Sequence, residues 1–268
     1  MKKSDINLTH HKREEPMTGI YFSGTGNTRH CIEKFIQEYS AAAAVKPLGP
    51  IVAIEESASA AKALREAQDV IILAYPVYYS NLPKIMRDFI VSNKDMWKGK
   101  TVYILCTMGL FSGDGAGVAA RLLKKYGASV LGGLHLIMPD SICDVKVLKF
   151  SPERNRQIFA KAGGKLEKAA RRMAEGAPTR EGLGFLSHLA GLLGQRLWFC
   201  HKTLCYSSRL KINAEACIHC GRCVSLCPMH NLSLDEGTIT AHGSCTMCYR
   251  CISQCPGKAI TLLGKKVH

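Results

Sequence analysis

Apolar positions alternate between short continuous runs and helical spacing from residue 17 to about residue 175. Residues 19–22 form a short apolar run, and Ser23-Gly24-Thr25-Gly26-Asn27-Thr28 is a polar turn. Ile32, Phe35, Ile36 and Tyr39 then recur at i, i+3, i+4 and i+7, the period of a helix with one buried face. A second strand, if there is one, lies in the weakly patterned stretch around Pro47 and Pro50. The pattern predicts a helix over 60–67 and a buried strand over 70–75. Ile85, Met86, Phe89 and Ile90 mark the next helix, 101–106 the next strand, and Val118, Ala119, Leu122, Leu123 and Tyr126 a further helix. A fifth strand is predicted over 130–138. Ser151-Pro152-Glu153 then supplies a cap, a proline at the first helical position and an acid in the first turn. Ile158, Ala162, Leu166, Ala169 and Met173 carry that helix onward. Strands alternating with helices predict an α/β fold, a doubly wound, five-stranded parallel sheet covered on both faces.

The pattern changes after residue 175. Leu186, Leu189, Leu193 and Leu197 share one face, beside Trp198 and Phe199. A membrane-surface or docking helix is one reading. An interdomain packing segment fits better, because glycines at 182, 184, 191 and 194 weaken a free-standing helix. Of 13 cysteines, eight fall between 217 and 255. The expected organisation is a charged leader over 1–16, an α/β domain over 17–175, a linker or packing segment over 176–208, and a cysteine-dense domain over 209–268. No apolar run approaches the roughly 18 residues of a membrane span, and the N-terminus lacks the apolar core of a secretory signal. An odd cysteine count without such a signal argues against a disulfide framework. It points to metal or redox chemistry in a reducing compartment, so the expected location is cytoplasmic.

The cysteines carry the sharpest signal. Cys217-x2-Cys220-x2-Cys223-x3-Cys227-Pro228 recurs 28 residues later as Cys245-x2-Cys248-x2-Cys251-x3-Cys255-Pro256. The echo of Leu232-Ser-Leu234 in Ile260-Thr-Leu262 has the same offset and marks a duplication. A 4Fe–4S cube needs a thiolate at each of four irons. Two-residue gaps let one loop wrap three corners, and the fourth ligand comes from the other run. Cys217, Cys220, Cys223 and Cys255 are therefore expected at one cluster, and Cys245, Cys248, Cys251 and Cys227 at the other. Structural zinc seldom needs a third cysteine at the same interval, still less a crossed pair of runs. Residues 209–264 resemble the bacterial two-cluster ferredoxins, which implies a small α+β domain. Asn231 and Tyr249 depart from that pattern, Tyr249 standing where the first run has Gly221.

The polar turn sits between a strand and a helix N-terminus, where free amides and the helix dipole favour an anion. It is neither a Walker loop nor a Rossmann fingerprint, since no lysine follows and Arg29 stands at the third glycine position. Ser23, Thr25 and Thr28, with Asn27 and the amides around Gly26, suit the free oxygens of a phosphomonoester. The sequence 21–28 resembles the FMN phosphate loop of flavodoxins, and the resemblance spans roughly 17–175. It implies that two further loops hold the flavin ring, at strand ends near the switch point. One is Pro76-Val77-Tyr78-Tyr79-Ser80-Asn81, with a tyrosine to stack on the ring. The other contributes Thr107, Met108, Gly109 and Gly113.

The formal charge of +15 falls to about +9 once two clusters and an FMN phosphate are counted. Nine basic and three acidic residues lie between Lys149 and Arg180. No binding motif or aromatic interleaving supports nucleic acid. A solvated helix face accounts for most of that charge, and among partners an acidic protein fits better than anionic lipid. Cys31 and Cys106 are expected to act as small buried hydrophobes. Cys143 has no partner motif, and Cys200-His201-x3-Cys205 lacks a second ligand pair.

The whole chain resembles the flavodoxin–ferredoxin fusion proteins of anaerobic prokaryotes. That resemblance implies an electron-transfer iron–sulfur flavoprotein with two 4Fe–4S clusters and FMN, serving a ferredoxin-like donor or an acceptor enzyme. The alternative is an FMN-dependent reductase of a quinone, nitro compound or similar acceptor. No catalytic acid, base or nucleophile stands out, which favours the carrier, and no nicotinamide fingerprint is present.

Overall fold

A computed structural model describes residues 16–45, 48–111, 113–193 and 208–268. The leader expected over 1–16 lies outside these apart from Pro16. So do Leu197, Trp198, Phe199, Cys200, His201 and Cys205.

The first five strands are β1 (Thr18–Tyr21), β2 (Ile51–Ala53), β3 (Val70–Pro76), β4 (Thr101–Met108) and β5 (Ser129–Ile137). They form one parallel sheet in the order β2-β1-β3-β4-β5. Strand order reverses between β1 and β3, which opens a crevice at their C-terminal ends. The second strand was faint in the sequence because only three residues of an edge strand pair, each of them half-buried.

Alternation along the central strands divides the core in two. Ile71, Leu73 and Tyr75 of β3 face one side with Ile104 and Cys106 of β4. There they pack against α2 (Ser57–Glu66), α3 (Lys84–Ser92) and α4 (Gly115–Lys125). Val70, Ile72 and Ala74 face the other side, against α1 (Asn27–Ala43) and α5 (Pro152–Ala174). The helical stripe read from sequence, Ile32, Phe35, Ile36 and Tyr39, is buried here, and Phe35 stacks on Tyr103 at 5.3 Å. Cys31 and Cys106 are fully buried within these layers, and burial pushes each thiol up to about 12. They are small core residues. Ser151 caps α5 by accepting from the Arg154 amide at 3.3 Å.

Past α5 the chain runs along the free edge of β5, where Gly133 bridges Arg180. This contact covers an edge otherwise open to pairing. Helix α6 (Phe185–Gly191) follows. It packs through Gly191, which abuts Gly113, and through His188, whose Nδ1 lies 2.9 Å from Asp114 Oδ2. The described leucines of that face do not make the packing, since Leu186, Leu189 and Leu193 are all exposed.

The cysteine-dense region forms its own core around Leu232, Ile239, Ile252 and Ile260. β6 (Lys211–Ile212) pairs with β9 (Ile260–Thr261), and β7 (Leu232–Asp235) pairs with β8 (Thr238–Ala241). Two short helices, α7 (Arg222–Leu226) and α8 (Arg250–Ser253), begin at equivalent points of the two repeats. The duplication extends to the backbone. Left-handed φ values recur 28 residues apart at His219 and Met247 (53° and 61°), Gly221 and Tyr249 (67° and 59°), and His230 and Lys258 (both 48°). Among the described residues, no helix is long and apolar enough to cross a membrane.

Candidate functional site

The polar turn after β1 is built by its own side chains. Ser23 Oγ accepts from the Gly26 amide at 3.1 Å and so closes the turn. Gly26 then enters α1 at φ 106°, a left-handed value that glycine adopts without a Cβ penalty. The turn is tied to neighbouring loops at three points. Thr28 Oγ1 lies 2.7 Å from Thr107 Oγ1, Asn27 Nδ2 donates to the Pro139 carbonyl at 2.8 Å, and Thr25 Oγ1 meets Ser141 Oγ at 2.6 Å.

These loops enclose a cavity of about 250 Å3 at the C-terminal ends of the strands. Most of the predicted site residues line it: Ser23, Thr25, Asn27 and Thr28 of the first loop, Pro76, Val77, Tyr78 and Tyr79 of the second, and Thr107, Met108 and Gly109 of the third. Four others lie elsewhere. The Gly26 amide is spent on Ser23, and Ser80 is fully buried behind the wall. Asn81 uses its Oδ1 to accept from the Leu82 amide and from Arg87. Gly113 is pressed between Gly191 and Ser80.

A fourth loop, after β5, was missed by the sequence reading. Met138, Pro139, Asp140, Ser141 and Ile142 line the cavity together with Leu148. The signal was present: a proline-aspartate-serine turn at the end of a strand beside β4 belongs to the same crevice. Asp140 Oδ1 accepts from the Ile142 amide at 2.9 Å, and burial raises its carboxyl above the usual range. Its Oδ2 lies where a side chain on Gly109 would begin, 2.4 Å from the position of a Cβ there. A side chain at Gly109 would have to displace this carboxylate.

Met247 and Tyr249, from the second cysteine run, complete the wall. Tyr249 replaces the glycine of the first run, and its left-handed backbone costs on the order of 1 kcal/mol. What offsets this is a hydrogen bond across the domains. Its hydroxyl donates to Asp144 Oδ1 at 3.0 Å, and the side chain is almost wholly buried. Asp144 Oδ2 in turn accepts from the amides of Leu262, Leu263 and Gly264 at 2.7, 3.0 and 3.1 Å. The other departure, Asn231, keeps the backbone contact of its repeat. Its amide donates to Cys227 Sγ at 3.2 Å, as the Ala259 amide does to Cys255 Sγ at 3.4 Å. Its side chain accepts from the Ser244 amide at 2.5 Å.

The docking is also close where the second cysteine run meets the polar turn. A Cβ on Gly24 would lie 2.3 Å from the Cys248 carbonyl oxygen, so only glycine allows this approach. Arg250 reaches the same turn. It donates to the Ser23 carbonyl at 2.7 Å, the Gly24 carbonyl at 3.2 Å and Glu55 Oε1 at 2.5 Å.

The eight cysteines fall into two sets around two small cavities. Cys227 joins Cys245, Cys248 and Cys251 at one, and Cys255 joins Cys217, Cys220 and Cys223 at the other. The first set is inside, with Cys248 and Cys251 buried, and the second opens at Cys220, which is exposed. Among the described residues, no three His, Cys, Asp or Glu side chains close on a point as they would around a single ion. Thiolates grouped around a void suit an object with corners, as a cube has. Thr246 adds to the fit. Its hydroxyl oxygen is buried without a partner, and the residue lines the Cys227–Cys251 cavity, where a cluster sulfur would accept from it. At the larger cavity, hydroxyls at a helix N-terminus suit a phosphate, and Met108, Met138, Ile142 and Met247 suit a planar ring.

Residues 20–139 match the flavodoxin domain family, and residues 209–257 match the 4Fe-4S dicluster domain family. Comparison with curated proteins returns no match. Among solved structures, the two-electron reduced flavodoxin of Megasphaera elsdenii shares 24% identity over 58% of this chain and 98% of its own, with a TM-score of 0.41. A flavodoxin from the domain Archaea shares 14% over 61% and 99%, with a TM-score of 0.41. The general stress protein 14 of Treponema denticola, in complex with FMN, shares 10% over 61% and 99%, with a TM-score of 0.39. The chain thus joins a flavodoxin-like domain to a ferredoxin-like one, an iron–sulfur flavoprotein of electron transfer.

Proposed function

We propose that this iron–sulfur flavoprotein passes electrons between an external redox partner and FMN by way of two 4Fe–4S clusters. The observation that carries the reading is the contact of Cys248 with Gly24, which makes one wall common to the inner cysteine set and the polar turn. Cys227, Cys245, Cys248 and Cys251 would hold the inner cluster, and Cys217, Cys220, Cys223 and Cys255 the outer one. When bound, FMN exchanges electrons singly or in pairs and each cluster exchanges one.

The chain's own residues bind, orient and exclude water. Ser23, Thr25, Asn27 and Thr28 would hold the phosphate, and Tyr78 and Tyr79 would wall the ring together with Met247 and Tyr249. Tyr78 lines the cavity, and burial raises its phenol well above the usual value. The cavity of about 250 Å3 is at the small end for a ligand site.

The charge of the whole chain, +15 and about +9 with two clusters and FMN counted, supports an acidic protein partner. Residues 209–268 add little to it, since their seven Lys or Arg against three Asp or Glu would be offset by the charge of about −2 on each of two clusters, so the surplus lies on the other domain. Beside exposed Cys220, Ile218 is 62% exposed and offers an apolar anchor. Such a net charge steers an oppositely charged partner and gives a rate that falls with added salt.

The test is anaerobic purification with iron and flavin quantified, then reduction by a low-potential ferredoxin followed in the visible spectrum. About eight irons and one FMN per chain, with the flavin bleached after the clusters, is the expected result. Clusters without flavin would overturn the FMN assignment.

A further inference from the structure

Arg250 is the residue of the cysteine-dense domain that binds the polar turn of the other domain through its backbone. Its guanidinium holds two consecutive carbonyls, those of Ser23 and Gly24, while Glu55 takes a further N–H. A trans peptide is planar, with its C=O and N–H on opposite sides. Carbonyls turned outward to Arg250 therefore send the amides of the same two peptide units, Gly24 N–H and Thr25 N–H, the opposite way. Ser23, Gly24 and Thr25 all line the cavity.

Three features make this a built contact. Arg250 and Glu55 are both about four-fifths buried at the pair. A guanidinium is a rigid fork that serves several acceptors at once, which an ammonium does not. Donation from a cation to a carbonyl also polarises the peptide and strengthens its N–H as a donor.

We propose that Arg250 is a positioning residue for the flavin phosphate. It fixes the amide face of the turn from behind, so FMN affinity depends on the docked cysteine-dense domain. This rests on the FMN reading above. It goes further in making the two cofactor halves thermodynamically coupled: Arg250 lies between Cys248 and Cys251 on the segment expected to wrap the inner cluster, so assembly there sets the phosphate site.

The experiment compares FMN with riboflavin, which lacks the phosphate. Binding to the cluster-loaded protein is followed anaerobically by quenching of flavin fluorescence, with iron content measured on each sample. Arg250→Ala is expected to weaken FMN roughly ten- to a hundredfold and riboflavin far less, since riboflavin shares the ring wall of Met247 and Tyr249 but not the phosphate amides. Arg250→Lys serves where the alanine variant loses iron, and is expected to give a smaller loss in the same direction. Equal weakening of both flavins would assign the effect to general loosening and overturn the proposal, as would unchanged FMN affinity. Full rescue by lysine would assign the effect to charge alone and overturn it too. A wild-type protein that binds riboflavin or clusters but not FMN would instead overturn the underlying reading of the cavity.

Discussion

Asp144 joins the two domains, and removing it measures how firmly they are held. The residue is 2% exposed. Its carboxylate accepts three backbone amides at one oxygen and the Tyr249 hydroxyl at the other. Asp144→Ala leaves four donors facing a void. A hydrogen bond to a charged acceptor contributes about 1.5–3 kcal/mol, and donors sharing one carboxylate do not add in full. Four buried donors left unsatisfied at about 1–3 kcal/mol each, adding incompletely, cost at least about 3 kcal/mol. At the lower bound the undocked state becomes roughly a hundredfold more populated. Asp144→Asn keeps an oxygen for the three amides and turns its NH2 toward Tyr249, whose hydroxyl can then accept. Its loss is about 1–1.5 kcal/mol, roughly tenfold. The assay is native-state hydrogen exchange on the cofactor-loaded protein, read at residues 245–251, where Met247, Cys248 and Tyr249 are buried. Exchange there is expected to rise in the order wild type, Asn, Ala. Wild-type rates in the alanine variant would refute the reasoning, because the interface would then be held without this carboxylate.

Three further outcomes are expected. Gly24→Ala sets a methyl group 2.3 Å from a backbone oxygen that cannot swing aside; a loss of about 1–3 kcal/mol and faster exchange at 245–251 should follow, and unchanged values would deny the close approach. Cys227→Ala should cost the inner cluster, although Cys227 lies in the first run, leaving the outer one intact; iron falling by half with the exposed cluster's spectrum lost would contradict the crossed arrangement. His135 is held neutral by burial, its pKa lowered from 6.5 to about 4, and its Nε2 accepts from the Ala116 amide at 3.3 Å. The unfolded chain therefore binds a proton that the folded one refuses. The stability this confers is fully present above 6.5 and lost as pH falls toward 4. Between about pH 7.5 and about pH 5 the loss is about 2 kcal/mol. His135→Gln should flatten that part of the unfolding profile, and an unaltered slope would show that another group titrates there.

Much of the fold was legible in local pattern. The run of strands and helices follows from periodicity, and Ser151-Pro152-Glu153 started α5 where the sequence placed it. β2 is the exception: the local pattern left a second strand open, because only three half-buried edge residues pair there. The cysteine runs were legible for a chemical reason: two-residue gaps and a crossing cysteine follow from the corners of a cube, whatever surrounds them. The hydroxyl-rich turn was legible because it is closed by its own side chains, Ser23 on Gly26.

Tertiary structure decided what lies between those parts. The fourth loop joined the cavity because β5 sits next to β4, which no local spacing states. Ser80 and Gly113, both in loops of the right kind, were turned into the wall by packing against each other and α6. Tyr249 read only as a departure from its repeat, yet its hydroxyl, 105 positions from Asp144 in sequence, holds the domains together. Arg250 binds carbonyls 226 and 227 positions away. A backbone carbonyl leaves no mark in the sequence. Periodicity and motif spacing record what a segment does with its neighbours in the chain. Which distant peptide a guanidinium or carboxylate meets is settled only when two finished surfaces dock, and there a missing Cβ at Gly24 decides the fit.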